Sequence, residues 1–456
     1  MQRRTLVKLT ALSAAMLASG LAQAAAHLGH GLSQALAATA PTGELEVIVG
    51  FDQTDAPRPA QIAALRALGI DQGRWMRHLP LAGIMATPAQ INAIAARGDV
   101  RAIHLNRNLR YYNHDARRIS GVDALQADPA LGYTGRGVTV MVNDSGIDAT
   151  HADLSFGSKV VQNVQALGNV HALADFLPVT VLEGQPNTDI SSGHGTHCAG
   201  SVGGTGARSN GEFRGVATDA AIVGYGSGAV LSILDAIGGF DYAIARQNAY
   251  AAPIKVISNS WGSSGAFDPT DPVNVASYAA YKKGIVSVFA AGNDGPAENT
   301  HNPYAQAPWV ISVGAGNKDG TLADFSSRGK RGESGSFTMG DGVPWTYVNQ
   351  PSLVATGVDI VSARANTGAL PVLSAPQDAA LGARAAFYTH MSGTSMATPH
   401  VAGIVALLFE ANPGLTPLQV KQVLQQTANP MAGRQAYEVG SGQADAYEAA
   451  QVAKGL

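Results

Sequence analysis

The chain has 456 residues, a single cysteine (Cys198) and a formal net charge of -3, and charged residues make up only 14% of it. This length exceeds one ordinary core, so about two or three folded units are expected, with room for a targeting segment. The weak negative charge excludes a global basic field for binding nucleic acid. A lone cysteine excludes an intrachain disulfide, so packing, bound ions or topology must stabilise the fold.

The N-terminus has the features of an export signal. A basic start at residues 3–8 (RRTLVK) precedes an apolar run over 9–21, and Ala-Gln-Ala at 22–24 offers the small-x-small pattern of a cleavage site. The basic start also resembles a twin-arginine signal, although Leu6 stands where Phe is common. A membrane anchor is the alternative, but the run is short for a bilayer and no long apolar stretch follows. We expect a signal peptide over 1–26, a secreted or periplasmic protein, and no membrane span in the mature form.

A small domain is predicted next, with its folded part over about residues 44–105. Its hydrophobic pattern predicts strands and helices in the order Leu45–Phe51 (strand), Ala60–Leu68 (helix), Met76–Thr87 (extended), Pro88–Arg97 (helix) and Val100–Leu105 (strand). This order is typical of a split, ferredoxin-like βαββαβ unit. A unit this small is marginally stable alone, so we expect it to dock on the larger domain that follows. A permanent accessory domain is the alternative, but its position after an export signal favours a propeptide, over residues 27–108.

From Gly137 onward, short apolar strands alternate with helix-like stretches. The predicted strands include Val138–Val142, Ala221–Val223, Val256–Ser258, Ile285–Ala290 and Val310–Gly314. Such alternation predicts an α/β fold with a mostly parallel central sheet and helices on both faces. In this architecture functional groups collect at the carboxyl ends of the strands.

Asp144 comes directly after the first of these strands, in the stretch 140–146 (VMVNDSG). An acidic residue at that place suits chemistry. Asp-Ser-Gly is also a common turn sequence, so the assignment depends on partners elsewhere in the chain.

A histidine among small residues is the first candidate partner. His194 lies in the stretch 191–200 (SSGHGTHCAG), where it could begin a helix with its ring facing a cleft. A zinc site built from His194, His197 and Cys198 is the alternative. No His-Glu-x-x-His motif or paired Cys-x-x-Cys completes such a site.

Ser395 is the second candidate partner, in the stretch 390–403 (HMSGTSMATPHVAG), where a long apolar helix is predicted to begin. The positive end of a helix dipole stabilises the negative charge that forms when a hydroxyl attacks a carbonyl. A simple helix cap is the alternative. The stretch lacks the second glycine of Gly-x-Ser-x-Gly, so the nucleophile elbow of α/β-hydrolases does not fit.

The chain order Asp144, His194, Ser395 is the order of subtilisin, and the three stretches closely resemble those of the subtilisin-like serine proteases, the subtilases. Other stretches match the family in the family's order: 258–262 (SNSWG), 286–295 (VSVFAAGNDG), 325–329 (FSSRG) and 440–446 (GSGQADA). The resemblance covers residues 118–446, and residues 44–105 resemble the family's inhibitory propeptide.

The resemblance implies a subtilisin-like three-layer fold for a catalytic domain over residues 109–456, after maturation near Leu109. It implies a secreted serine endopeptidase, made as a self-inhibited precursor, that hydrolyses proteins through an acyl-enzyme on Ser395, with His194 as base and Asp144 as its orienting partner. No cofactor is expected for catalysis. The implied partners are polypeptide substrates and the chain's own propeptide, acting as intramolecular chaperone and inhibitor.

The resemblance also assigns residues to the substrate cleft. Asn293, otherwise interpreted as a turn residue, becomes the side-chain donor of the oxyanion hole. Extended substrate is expected to pair with two strand edges, and uncharged residues are expected to line the primary specificity pocket. The residues implied are Gly224, Tyr225 and Gly226 at one edge, Ser260, Trp261 and Gly262 at the other edge and in the pocket, and Ala291 and Gly292 in the pocket.

Three further features are open from the sequence. Cys198 would share a helix face with His194, as in a subset of subtilases that includes proteinase K, although a small buried apolar role is simpler. Asp153 matches one calcium-ligand position of the family, but nothing convincing completes a site, and a solvated surface carboxylate is the alternative. The stretches 332–350 and 365–384 look longer than the family requires.

Two rival functions share these motifs. A triad-bearing esterase or acyltransferase would cleave small esters but not a denatured protein. A catalytically silent binding protein on a subtilase scaffold would have lost a catalytic residue, whereas Asp144, His194, Ser395 and Asn293 are all present.

Overall fold

The computed structural model describes residues 26–106, 110–111, 118–167, 170, 173, 175–228 and 231–456. Among these residues, no helix is both long and apolar enough to cross a membrane. The signal peptide expected over 1–26 lies, except for Ala26, outside the described residues, as does Leu109.

The small domain has the predicted split βαβ order. Its elements are β1 (His27–Leu28), α1 (Leu32–Ala38), β2 (Leu45–Phe51), α2 (Pro59–Ala67), β3 (Gly73–Trp75), β4 (Leu81–Ala86), α3 (Pro88–Ala95) and β5 (Val100–Leu105). The sheet order β5-β2-β4-β3 is extended at its ends by β1 and by a strand of the following domain. The folded unit begins earlier than residue 44, because the N–H of Ala26 donates to the carbonyl of Ala95 and its side chain packs in the domain core.

The larger domain is built on an eight-stranded sheet. In chain order its strands are β7 (Thr139–Asp144), β8 (Val160–Ala166), β10 (Val181–Leu182), β11 (Ala221–Gly226), β12 (Ile254–Asn259), β14 (Val286–Ala290), β15 (Ile311–Gly316) and β18 (Leu353–Thr356). The spatial order is β10-β8-β11-β7-β12-β14-β15-β18, and every pair is parallel except β10 with β8. Apolar strands buried on both faces are typical of such a sheet.

Helices cover both faces of this sheet, as predicted. The α-helices are α4 (Val122–Ala127), α5 (His194–Gly203), α6 (Ile233–Ala245), α7 (Pro272–Lys282), α8 (Leu370–Leu373), α9 (Ala375–Asp378), α10 (Thr394–Ala411), α11 (Pro417–Thr427), α12 (Ala436–Val439) and α13 (Ala446–Gly455). Helices α5 and α10 pack on one face, and α6 and α7 on the other. Helix α10 is buried over residues 394–409, so it forms the centre of its layer.

Six further strands pair into three small ribbons. They are β6 (Arg110–Tyr111) with β13 (Trp261–Gly262), β16 (Ser334–Thr338) with β17 (Pro344–Val348), and β19 (Ile360–Ala363) with β20 (Tyr388–Met391). The long stretch 332–350 is thus a hairpin, and Trp345 of this hairpin packs against Tyr278 of α7. The stretch 365–384 contains α8 and α9 and packs on the turn before His194, where the N–H of Leu370 donates to the carbonyl of Ser192.

The small-domain sheet is buried on both faces. Val47 and Val49 of β2 pack in the core that the sheet forms with its own helices, whereas Ile48 belongs to the core around α6 and α7. Strand β9 (Phe176–Pro178) of the larger domain also joins this sheet, parallel to β3, and places Phe176 in the small-domain core. The small domain therefore docks on the larger one, as expected, and its sheet is extended by a strand of the larger domain.

A buried histidine links three segments next to the central sheet. His301 is 2% exposed, its Nε2 lies 2.7 Å from Oγ of Ser312, and its Nδ1 lies 3.2 Å from Oδ1 of Asn349. Burial lowers the pKa of this imidazole from 6.5 to about 4. Between these two values the unfolded chain binds a proton that the folded chain does not, so the free energy of unfolding falls as the pH falls.

Between pH 6.5 and pH 4, we expect the free energy of unfolding to fall by roughly 3 kcal/mol less in His301→Gln than in the parent chain. The measurement is urea unfolding against pH in a Ser395→Ala background, which lacks the expected nucleophile. His30→Gln, at an exposed histidine, is the control and should leave the pH dependence unchanged. Identical slopes in wild type and His301→Gln would contradict the assignment.

Candidate active site

Asp144 and His194 form a buried hydrogen-bonded pair. Asp144 is the last residue of β7 and His194 is the first residue of α5. His194 Nδ1 lies 2.6 Å from Oδ1 of Asp144, and the two residues are 1% and 0% exposed. The backbones approach closely here, because a Cβ on Gly195 would lie 2.2 Å from the carbonyl oxygen of Gly146. Glycines at these positions therefore let the end of β7 meet the start of α5.

Ser395 is the second residue of α10 and is fully buried. Its Oγ lies 2.7 Å from the carbonyl oxygen of Ser260, and Oγ of Ser260 donates to the carbonyl of Ser395 over 2.7 Å. The backbone N–H of Ser395 belongs to the first turn of the helix, where N–H groups have no intrahelical acceptor. At the helix start, this N–H can donate to a negatively charged atom, and the helix dipole stabilises such a charge.

Cys198 lies between His194 and Ser395. Its Sγ is 3.6 Å from Nδ1 of His194 and 3.8 Å from the carbonyl oxygen of Ser395, so α5 and α10 hold the two predicted catalytic residues side by side. Burial raises the pKa of the Cys198 thiol well above its ordinary value, which keeps it neutral. His197 does not join His194 and Cys198 in a zinc site, because its Nε2 lies 3.1 Å from the carbonyl oxygen of Thr389 and it is not in the cluster of possible ligand atoms around Cys198.

Asn293 is fixed at the start of α10. Its Oδ1 accepts hydrogen bonds from the backbone N–H and from Oγ1 of Thr394, at 2.9 and 3.0 Å. Because both donors meet Oδ1, the amide orientation is set by the network, and Nδ2 is the atom left to act as a donor. The structure thus brings the Asn293 amide next to the N-terminus of the helix that carries Ser395.

The first of the two predicted substrate edges is a short strand, β13. The backbone of Trp261–Gly262 pairs antiparallel with that of Arg110–Tyr111. Asn302 bridges the two segments predicted to line the specificity pocket, because its Nδ2 donates to the carbonyls of Trp261 and Ala290 at 3.1 and 2.8 Å. Ala291 and Gly292, the other predicted pocket residues, follow directly after Ala290. Ser260 and the Trp261 backbone therefore lie beside Ser395, whereas the indole of Trp261 is buried.

The prediction of a second edge at Gly224, Tyr225 and Gly226 is wrong. These residues end β11, which is an interior strand paired with β7 on one side and β8 on the other up to Gly226. An interior strand has its N–H and C=O groups already engaged, so it has no free edge for a peptide. The Tyr225 side chain is also buried, at 1% exposure.

Asp153 does not fit a calcium site. Its carboxylate accepts hydrogen bonds from the N–H groups of Gly206 and Arg208 and from the hydroxyl of Tyr388, at 3.1, 3.2 and 2.8 Å. Calcium would need neighbouring oxygen acceptors instead of these donors. Nor is Asp153 a solvated surface carboxylate, because it is 1% exposed. It anchors the loop that follows α5.

Sequence reasoning missed Asp189, which holds the backbone around His194. One carboxylate oxygen accepts from the N–H of Gly193 and from Oγ of Ser145, and the other accepts from the N–H and Oγ1 of Thr196, at 2.7 to 3.0 Å. Burial raises the pKa of the Asp189 carboxyl, and these hydrogen bonds oppose that rise. No spacing rule identifies it, since an aspartate before a Ser-Gly turn is common.

A comparison with known families matches residues 135–446 to the subtilase family of peptidases, and the chain belongs to this family. Serine protease AprX of Bacillus subtilis (strain 168) is 33% identical over 358 residues, which cover 74% of this chain and 72% of that protein. Subtilisin E of the same organism is 33% identical over 343 residues, covering 73% of this chain and 71% of that protein. The relatives are serine peptidases, and the predicted family is confirmed.

Solved structures support the same fold. Fervidolysin from Fervidobacterium pennivorans, a keratinolytic enzyme related to subtilisin, matches with a TM-score of 0.64 at 22% identity, over 94% of this chain. The chain spans 63% of the length of that protein. Sphericase matches with a TM-score of 0.52 at 27% identity, over 73% of this chain and 99% of its own. The predicted subtilisin-like fold is therefore confirmed.

We expect Asp189→Asn to lower kcat by about 10- to 100-fold with little change in KM, because an amide N–H would face the backbone donors that now position His194. Kinetics on a chromogenic peptide, measured well below the melting temperature, check this. Asp219→Asn, at an exposed carboxylate paired with Arg136, is the control. A change in KM alone, or in melting temperature with unchanged kcat, would contradict a positioning role.

Proposed function

We propose that this protein is an exported serine endopeptidase made as a self-inhibited precursor. The observation that carries the proposal is the buried Asp144–His194 hydrogen bond beside Ser395 at the N-terminus of α10. A nucleophile, a base and an orienting carboxylate are thus assembled from three distant parts of the chain. In this proposal the export signal expected over residues 1–26 directs the chain out of the cell, and Ala26, which packs in the small-domain core, stays with the precursor.

The proposed mechanism depends on the transfer of one proton by His194. His194 removes the hydroxyl proton of Ser395 while Oγ attacks the carbonyl carbon of the scissile bond, and it then delivers that proton to the leaving amine. Asp144 accepts the hydrogen bond from Nδ1–H of His194, so Nε2 is the nitrogen that exchanges the proton. Water next attacks the acyl-enzyme with His194 again as base, which frees the acid product and restores Ser395.

The proposed oxyanion hole lies at the start of α10. The tetrahedral oxygen would be met by Nδ2 of Asn293 and by the backbone N–H of Ser395. Because Thr394 fixes Oδ1 of Asn293, the donor is oriented before substrate arrives. Donors that need no reorganisation stabilise the transition state more than the ground state.

An extended polypeptide is the substrate that this site suits best. The β13 edge already accepts an extended segment of the chain's own backbone, Arg110–Tyr111, next to Ser260 and Ser395. Backbone pairing of this kind recognises peptides irrespective of most side chains. A small ester would not use this edge, so the pairing favours an endopeptidase over an esterase or acyltransferase.

The small domain is proposed to be the inhibitory propeptide. Its sheet covers α6 and α7, and two residues that follow it, Arg110–Tyr111, pair with the β13 edge. Residues 27–108 are proposed as the propeptide and 109–456 as the catalytic domain, with cleavage near Leu109. The precursor would thus block its own cleft in the manner of a substrate.

Ser395→Ala should lose casein hydrolysis by a factor on the order of 10⁶, a magnitude known from subtilisin itself. It should also retain the segment before about Leu109, which N-terminal sequencing detects. Ser392→Ala, at an exposed serine of the same loop, is the control. Full activity of Ser395→Ala would overturn the proposal, and normal trimming without activity would contradict self-processing.

Phe176→Ala should shorten the lag before activity appears, because it removes a core side chain that β9 places in the propeptide sheet. The measurement is the time course of peptide hydrolysis during maturation of the purified precursor. Leu177→Ala, on the same strand but 42% exposed, is the matched control. Equal lags in both variants would contradict a role of β9 in retaining the propeptide.

A further inference from the structure

Two histidines of the small domain face one carboxylate of the larger domain, and none of the three belongs to the candidate active site. His27 lies on β1, His104 on β5, and Asp268 in the loop before α7. Their nearest nitrogen and oxygen atoms all lie within 4.8 Å of one another. His27 Nε2 is 2.7 Å and His104 Nε2 is 3.9 Å from Oδ2 of Asp268.

The three side chains are held in place before any ligand arrives. Oδ1 of Asp268 accepts from the N–H and Oγ1 of Thr270 at 2.8 and 2.7 Å, which directs Oδ2 towards the histidines. Strand β1 pairs with β5, so the two histidines are fixed on neighbouring strands. A Cβ on Gly29 would lie 2.0 Å from Nδ1 of His104, so only glycine there admits the ring.

A second carboxylate lies behind His104. Oδ2 of Asp271 is 3.8 Å from Nδ1 of His104, the nitrogen opposite the one that faces Asp268. A carboxylate hydrogen-bonded to the far nitrogen of a histidine orients a metal-binding imidazole. A shift of about 0.6 Å would bring Asp271 within that hydrogen-bond distance of His104. On the open side, the His27 side chain is 51% exposed, which leaves room for water as a further ligand.

We propose that His27, His104 and Asp268 bind a zinc-type divalent transition-metal ion that bridges the small and large domains. Two neutral imidazoles and a carboxylate are ligands that zinc prefers, at about 2.0 to 2.2 Å from the ion. Ligand atoms around such an ion stand about 3.3 Å apart. The two nitrogen–oxygen distances are 2.7 and 3.9 Å, and the two histidine nitrogens lie within 4.8 Å of each other, so binding requires shifts of at most about 1.5 Å. The ion would tie the domains together in the precursor and be released when they separate.

The experiment uses the full precursor with Ser395→Ala, freed of metal by a chelator. Co²⁺ titration should give one equivalent with ligand-field absorption, and Zn²⁺ should displace it and raise the melting temperature. His27→Gln and Asp268→Asn should each weaken Zn²⁺ binding by at least about 10-fold, and Asp271→Asn by about 10-fold. His27 is half-exposed, so its variant is expected to fold.

Two controls separate this site from the alternatives. His78→Gln alters another histidine–aspartate contact across the same seam, 3.4 Å from Asp241, and should leave Zn²⁺ affinity unchanged. Asp144, His194 and Cys198 also lie within coordinating distance of one another, so Cys198→Ala tests that cluster. Binding lost in Cys198→Ala but kept in His27→Gln, or no stoichiometric binding, would overturn the proposal. The test needs no peptidase activity, so its failure is distinct from failure of the proposed function.

Discussion

Burial of the central parallel sheet on both faces is the constraint on which the rest of this structure depends. Helices α5 and α10 cover one face and α6 and α7 the other, so the strands offer polar chemistry only where they end. Asp144 stands at such an end, and the two helices on one face bring His194 and Ser395 to it. The packing of helices on the sheet, more than any local motif, therefore brings the candidate catalytic residues together.

The same principle explains the small domain. A sheet with one face on its own helices must bury or solvate its other face. Here Ile48 of β2 and all of β4 are buried on that other face or within the sheet. Docking on α6 and α7 covers the second face, and β9 covers one edge. Hydrophobic burial and strand pairing therefore act together to hold the small domain, and the histidine–aspartate cluster lies on the same seam.

Several polar side chains buried around the site form hydrogen bonds with backbone groups and with one another. Asp189 accepts four hydrogen bonds around the turn that carries His194, and Asn143 links β7 to α6 and β12 through Ala236 and Asn259. Such networks hold a site in one geometry, because a buried polar group without a partner is costly. They act through positioning and not through contact with the reacting bond.

The sequence by itself determined the layer architecture and the strand–helix order of both domains, because hydrophobic periodicity is local. Motif order along the chain also led to the proposal of Asp144, His194 and Ser395 as catalytic residues, and the family resemblance added Asn293. Features that depend on which strands and loops become neighbours were decided only by the tertiary structure. It made β11 an interior strand and so removed the edge at Gly224–Gly226, and it surrounded Asp153 with donors in place of calcium ligands. Asp189 and the partners of His104 also emerged only there, because contacts between residues far apart in sequence leave no spacing pattern for a single chain to reveal.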